Sequence, residues 1–131
     1  MPVIGTLSAP SYITIQIDVG RHLDGDVIAF LNHSCRPTAV VQAPALDVRA
    51  AVDLKEGDEI TFFYPSTEWD MVRPFKCLCG ARNCIGFVAG AQYLSIDILK
   101  RYFINPHIQK LAAGAFRRVG PEDASTMLAL P

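Results

Sequence analysis

Three of the four cysteines fall within eight residues: Cys77, Cys79 and Cys84, in the stretch KCLCGARNC. The fourth, Cys35, stands far upstream in FLNHSCRP. Thiolates are soft ligands, and structural zinc takes four such ligands in a tetrahedron. Three thiols from one loop leave one vacancy, and Cys35 fills it if the fold carries it across. Gly80 and Gly86 permit the tight turns that such a knot needs. This counting favours one site of Cys35, Cys77, Cys79 and Cys84, closed to water and therefore structural. By analogy with zinc-finger peptides it would add ~10 kcal/mol of apparent folding free energy at neutral pH. Lys76 and Arg82 are candidates to offset its surplus negative charge. Two other readings of the same residues stay open: buried free thiols, or one disulfide with two spares.

The rest of the chain sets bounds. Its 131 residues make one domain, two at most. Half of them are hydrophobic and 19% are charged, with no low-complexity tract, which is a globular composition. A net charge of −1 and the lack of a basic stripe argue against direct nucleic-acid binding. The opening MPVIGTLSAP has neither a cationic head nor a long apolar run, so no signal peptide and no membrane span are expected. That points to an intracellular protein of cytoplasm or nucleus, not a secreted one, where disulfides are rare.

Period two places strands at Ser11–Asp18 and Thr38–Gln42. It also places one through Leu46, Val48, Ala50 and Val52, which share a face. Ile60–Tyr64 (ITFFY) is the most apolar strand. Gly20 to Gly25 reads as a turn, and Asp26–Leu31 as either a strand or a helical turn. After a loop rich in Pro, Gly and Cys, the period becomes helical. Ser95 is the expected N-cap, and Ile98, Leu99, Tyr102 and Phe103 the expected buried face. Asn105 caps a second helix, with Pro106 in its first turn and Ile108, Leu111, Ala112 and Phe116 on its apolar face. The fold class is mainly β or α+β with a helical C-terminus.

Three stretches, taken in order, resemble the SET-domain family of protein-lysine methyltransferases. FLNHSCRPT (Phe30–Thr38) resembles its R-F-x-N-H-S-C-x-P-N motif. DLKEGDEITFFY (Asp53–Tyr64) resembles x-I-x-x-G-E-E-L-T-x-D-Y, and CLCGARNCIG (Cys77–Gly86) the post-SET C-x-C-x4-C-x-G segment. The resemblance spans Asp26 to Gly86 and uses every cysteine. In that family the cysteine of N-H-S-C completes the post-SET zinc site. Thr38 stands where the motif has Asn, and Phe63 where it has Asp. No G-x-G occurs among the 31 residues before Asn32.

The resemblance implies a SET-like fold of short strands in small sheets. It divides the chain into a loose leader (1–10), a SET-like core (11–72), a post-SET zinc loop (73–90), C-terminal helices (91–118) and a mobile tail (119–131). It also implies methyl transfer from S-adenosylmethionine to the lysine of a protein or peptide. That chemistry needs a neutral amine and in-line alignment more than acid–base groups, and desolvation supplies the neutral amine. Tyr64 falls at the catalytic tyrosine, and Tyr12 matches a tyrosine the family places upstream. Asn32, through its amide, and His33, through its backbone, fall at the cofactor contacts; the bland reading of His33 is a buried ring with a backbone partner. Leu78 or Phe87 would pack on the adenine. Phe62 falls where the family tunes methyl number, and a phenylalanine there leaves room for di- or trimethylation. Trp69 is either a wall of the lysine channel or ordinary packing. Glu68 and Asp70 either attract a basic peptide or are simply solvated. The alternative to an enzyme is a zinc-stabilised, SET-derived binding module without catalysis.

Overall fold

The computed structural model describes residues 9–115. Most of the expected leader, all of the expected tail, and Phe116 lie outside them. Among the described residues, eight short strands form four two-stranded sheets, followed by two helices. This is the expected mainly β to α+β, SET-like class. β1 (Thr14–Asp18) pairs antiparallel with β2 (Arg21–Asp24), Gln16 facing His22. The turn expected over Gly20–Gly25 is thus tighter: it closes at Val19-Gly20, and the next residues form the returning strand. Gly20, at φ 67°, supplies the left-handed corner. Asp26–Phe30 is a 3-10 turn that buries Ile28 completely.

β3 (Asn32–His33) runs parallel to β6 (Thr61–Phe62), Asn32 beside Thr61 and His33 beside Phe62. The N–H of Ser34 extends the pairing to the Phe62 carbonyl at 3.1 Å. This short ladder joins segments almost thirty residues apart. β4 (Ala39–Gln42) and β5 (Asp47–Ala50) form a hairpin. The period-two face expected from Leu46 to Val52 does not form as drawn. Leu46 sits at the corner with φ 57° and is fully buried, whereas Ala50 and Val52 face solvent. A corner residue with left-handed backbone leaves the strand's alternation, so its side chain is placed by the turn.

Successive residues of the ITFFY segment serve opposite cores, as strand alternation requires. Phe62 joins Ile15, Ile17, Ile28, Val41 and Leu46, and Phe63 joins Leu94, Leu99, Ile104 and Ile108. Tyr64 then enters a 3-10 turn, Tyr64–Ser66, with Pro65 at its start. β7 (Phe75–Lys76) and β8 (Phe87–Val88) close the cysteine loop.

α1 (Ile96–Leu99) is shorter than its apolar pattern suggests. Ser95 caps it, Oγ accepting from the Ile98 N–H at 3.2 Å. α2 covers residues 106–115. The expected cap, Asn105, does other work. It is fully buried, donates through Nδ2 to the carbonyls of Val41 (2.9 Å) and Ser66 (2.8 Å), and accepts at Oδ1 from the Ala43 N–H (2.8 Å). One amide thus joins β4, the Tyr64 turn and the start of α2. No helix among the described residues is long and apolar enough to cross a membrane.

Candidate active site and metal centre

The sulfurs of Cys35, Cys77, Cys79 and Cys84 all lie within 4.8 Å of one another. A tetrahedron with the ~2.3 Å zinc–thiolate distance has edges of about 3.8 Å. The Cys35 and Cys77 sulfurs are 3.8 Å apart. That separation suits a shared metal and is far from the ~2.05 Å of a disulfide; all four cysteines are unbridged. Burial pushes the thiols of Cys35 and Cys77 upward. Without a cation these sulfurs keep their protons; a divalent ion would release them. The donor set and spacing therefore fit zinc.

Cys35 is held at both ends. Its carbonyl accepts the Tyr102 hydroxyl at 2.7 Å and the Asn83 amide at 2.9 Å. Its sulfur faces the Ile85 N–H at 3.3 Å and Nε2 of His33 at 3.3 Å. The other nitrogen of His33, Nδ1, accepts the N–H of Tyr64 at 3.1 Å. An accepting Nδ1 places the proton on Nε2 of the neutral ring, so His33 donates to the sulfur. Burial lowers its pKa to about 4, which keeps the ring neutral. Tyr102 stacks flat on Phe63, centroids 3.6 Å apart at 4°.

Tyr64 packs against Phe62 at 4.8 Å and edge-on to His33 and Phe75. Its hydroxyl donates to the Leu31 carbonyl at 2.6 Å. Burial, and then the nearby Glu68, raise its pKa. Beside it opens a cavity of about 260 Å³, lined among others by Tyr12, His22, Phe62, Tyr64, Glu68 and Phe75. Glu68 accepts the Gln16 N–H at 2.9 Å. Burial pushes its carboxyl up to about 7, against the opposing pull of that amide and the Thr67 hydroxyl.

The structure thus brings Phe62, Tyr64 and Tyr12 to one cavity, and all four cysteines to one point. Trp69 does not line the cavity; it packs on the Phe63 cluster, its backbone N–H donating to Gln16 Oε1 at 3.0 Å. Asn32 is exposed, its amide on Glu59 at 2.7 Å. Leu78 is 85% exposed and Phe87 49%. Thr38 bonds across to the Thr61 N–H and the Glu59 carbonyl, both at 2.9 Å, and Phe63 is core. Neither departure from the motif lines the cavity. The work done by Asn83, Tyr102 and Asn105 was not legible beforehand, since these polar residues lie in segments read as loop or helix face.

The SET-domain family matches residues 7–65. The chain carries a SET domain. Over 116 residues, 86% of its length, it is 44% identical to the methyltransferase flvH of Aspergillus flavus. It is 32% identical over 89 residues to a histone-lysine N-methyltransferase, H3 lysine-4 specific, of Emericella nidulans. It is also 32% identical over 95 residues to one that is H3 lysine-36 specific, of Yarrowia lipolytica. These matches span 65% of the Aspergillus flavus protein and only 7% and 12% of the other two. The four-cysteine cluster of this SET protein is compatible with a zinc site of post-SET type.

Proposed function

We propose that this SET protein transfers a methyl group from S-adenosylmethionine to a lysine amine of a protein, with one structural zinc on Cys35, Cys77, Cys79 and Cys84. The observation that carries this reading is the parallel β3–β6 pair. It sets the Asn-His-Ser segment beside the strand that leads into Tyr64, and Tyr64 walls a cavity.

S-adenosylmethionine, when bound, supplies an electrophilic methyl on a sulfonium. The chain's own residues do the rest. The aromatic walls of Phe62, Tyr64 and Phe75 exclude water and favour the neutral, nucleophilic amine. The Tyr64 phenol, fixed by its bond to Leu31, orients that amine. Asn32 and the β3 backbone serve the amino-acid end of the cofactor, and exposed Leu78 and Phe87 offer apolar surface to its adenine. Phe62, nearly fully buried, brings no hydroxyl to the cavity, which leaves room for a methylated amine. The names of the histone-directed relatives support a protein substrate.

Calorimetric titration of the zinc-loaded chain with S-adenosylmethionine tests this reading. Saturable binding at one site is expected. Zinc retention without cofactor binding would instead identify a SET-derived binding module.

A further inference from the structure

The cavity beside Tyr64 holds a carboxyl, that of Glu68, which no cation among the described residues neutralises in its immediate contacts. Glu68 follows Tyr64 by one turn, its N–H on the Tyr64 carbonyl at 3.0 Å and its own carbonyl on the Ala91 N–H at 2.9 Å. With its backbone tied on both sides, the side chain is fixed, and Oε2 takes the Gln16 N–H. The guanidinium of Arg73, which lines the same cavity, lies over the Tyr12 ring at 4.1 Å. Asp70, the other acid in the lining, accepts the Tyr93 hydroxyl at 2.9 Å. His22 lines the cavity too, and its Nδ1 is buried without a hydrogen-bond partner. An enclosed carboxylate supported only by neutral donors among the described residues is costly unless something cationic completes it.

We propose that Glu68 selects the methyl acceptor as a cation: its carboxylate accepts an N–H of the incoming ammonium and holds that nitrogen beside Tyr64. This inference rests on the reading of the cavity as the acceptor site. Glu68 recognises the acceptor at the binding step only: the ammonium must lose one proton to water before its nitrogen can attack, and Glu68 takes no part in the methyl transfer. It discriminates an amine from an isosteric alcohol or alkane, which the aromatic walls alone would not do.

The probes are n-butylammonium and the neutral, similarly sized n-butanol, titrated into the intact zinc-loaded protein. The reporter is the Gln16 amide, which sits on the carboxylate, read in a ¹H–¹⁵N spectrum. Butylammonium is expected to shift that signal saturably, and butanol not. Glu68→Gln is expected to weaken butylammonium binding roughly 10- to 100-fold, read at the Tyr64 amide. Equal response to both probes, or unaltered ammonium binding in Glu68→Gln, overturns the proposal. The comparison of the two probes on the unmodified protein stands even if the variant fails to fold. Neither probe is methylated here, so the outcome is independent of cofactor binding. A failed S-adenosylmethionine titration overturns the methyltransferase reading, whereas failure to tell ammonium from alcohol overturns the role of Glu68.

Discussion

The imidazole of His33 stands 3.3 Å from the sulfur of Cys35 and donates to it from Nε2. Because the opposite ring nitrogen accepts the Tyr64 N–H, one neutral side chain spans the gap between the metal centre and the proposed catalytic tyrosine. The cysteine knot is therefore a brace for the cavity wall as well as a closure of the late loop.

Zinc is accordingly expected at one ion per chain, and its removal by a chelator should abolish cooperative thermal unfolding. His33→Ala leaves all four sulfurs in place but removes a partner of one of them. It should weaken zinc by roughly 10- to 100-fold in a competition titration. Unchanged affinity would show that the His33 contact is incidental.

Tyr102 makes two separable contributions. Tyr102→Phe keeps the stack on Phe63 and loses only the hydroxyl bond to the Cys35 carbonyl, an expected cost of about 1 kcal/mol in urea unfolding. Tyr102→Ala loses the stack as well and should cost about 3 kcal/mol or more. Equal losses would mean that the hydroxyl, not the ring, carries the effect.

Asn105→Ala strands the Ala43 N–H and removes a donor from each of the Val41 and Ser66 carbonyls, all in the interior. We expect a loss of about 3 kcal/mol or more with the denaturant slope unchanged. A cost of only about 1 kcal/mol would fit a cap role instead.

Glu68 sets a pH dependence of stability. Its carboxyl titrates near 4.5 in the unfolded chain and near 7 in the folded one. Between these values the unfolded chain has lost a proton that the folded chain keeps. Stability from this group is therefore full at low pH and falls as pH rises through the window, by up to about 3 kcal/mol. His33, whose pKa is lowered, acts in the opposite sense over an overlapping range. The quantity to measure is thus the difference between the unmodified protein and Glu68→Gln from pH 4 to 8. A flat difference would contradict an enclosed Glu68 whose carboxyl holds its proton to higher pH than in the unfolded chain.

Much of this was legible in the sequence wherever chemistry depends on residue type and spacing. The cysteine count foretold the four-sulfur cluster, and β-branched alternation foretold β1 and β4. Ser95 read correctly as a cap because capping is local. What failed was non-local or set by backbone corners. Leu46 belongs to a turn with positive φ that its residue type does not announce. Asn105-Pro106 looks like a helix start, and it is one, but the amide turns inward to partners some forty and sixty residues away. Glu68, in STEWD, reads equally as a solvated loop acid, because only the approach of β1 and the 3-10 turn at Ala91–Tyr93 encloses it.

The most direct measurement is incorporation of labelled methyl from S-adenosylmethionine into histone H3 by the zinc-loaded protein, with Tyr64→Phe alongside. The account predicts label on lysine with the unmodified protein and at least about a hundredfold less with the variant, roughly the lower bound for losing one positioned catalytic group. No incorporation into H3 or any other lysine-bearing protein offered, or undiminished incorporation with Tyr64→Phe, would contradict it.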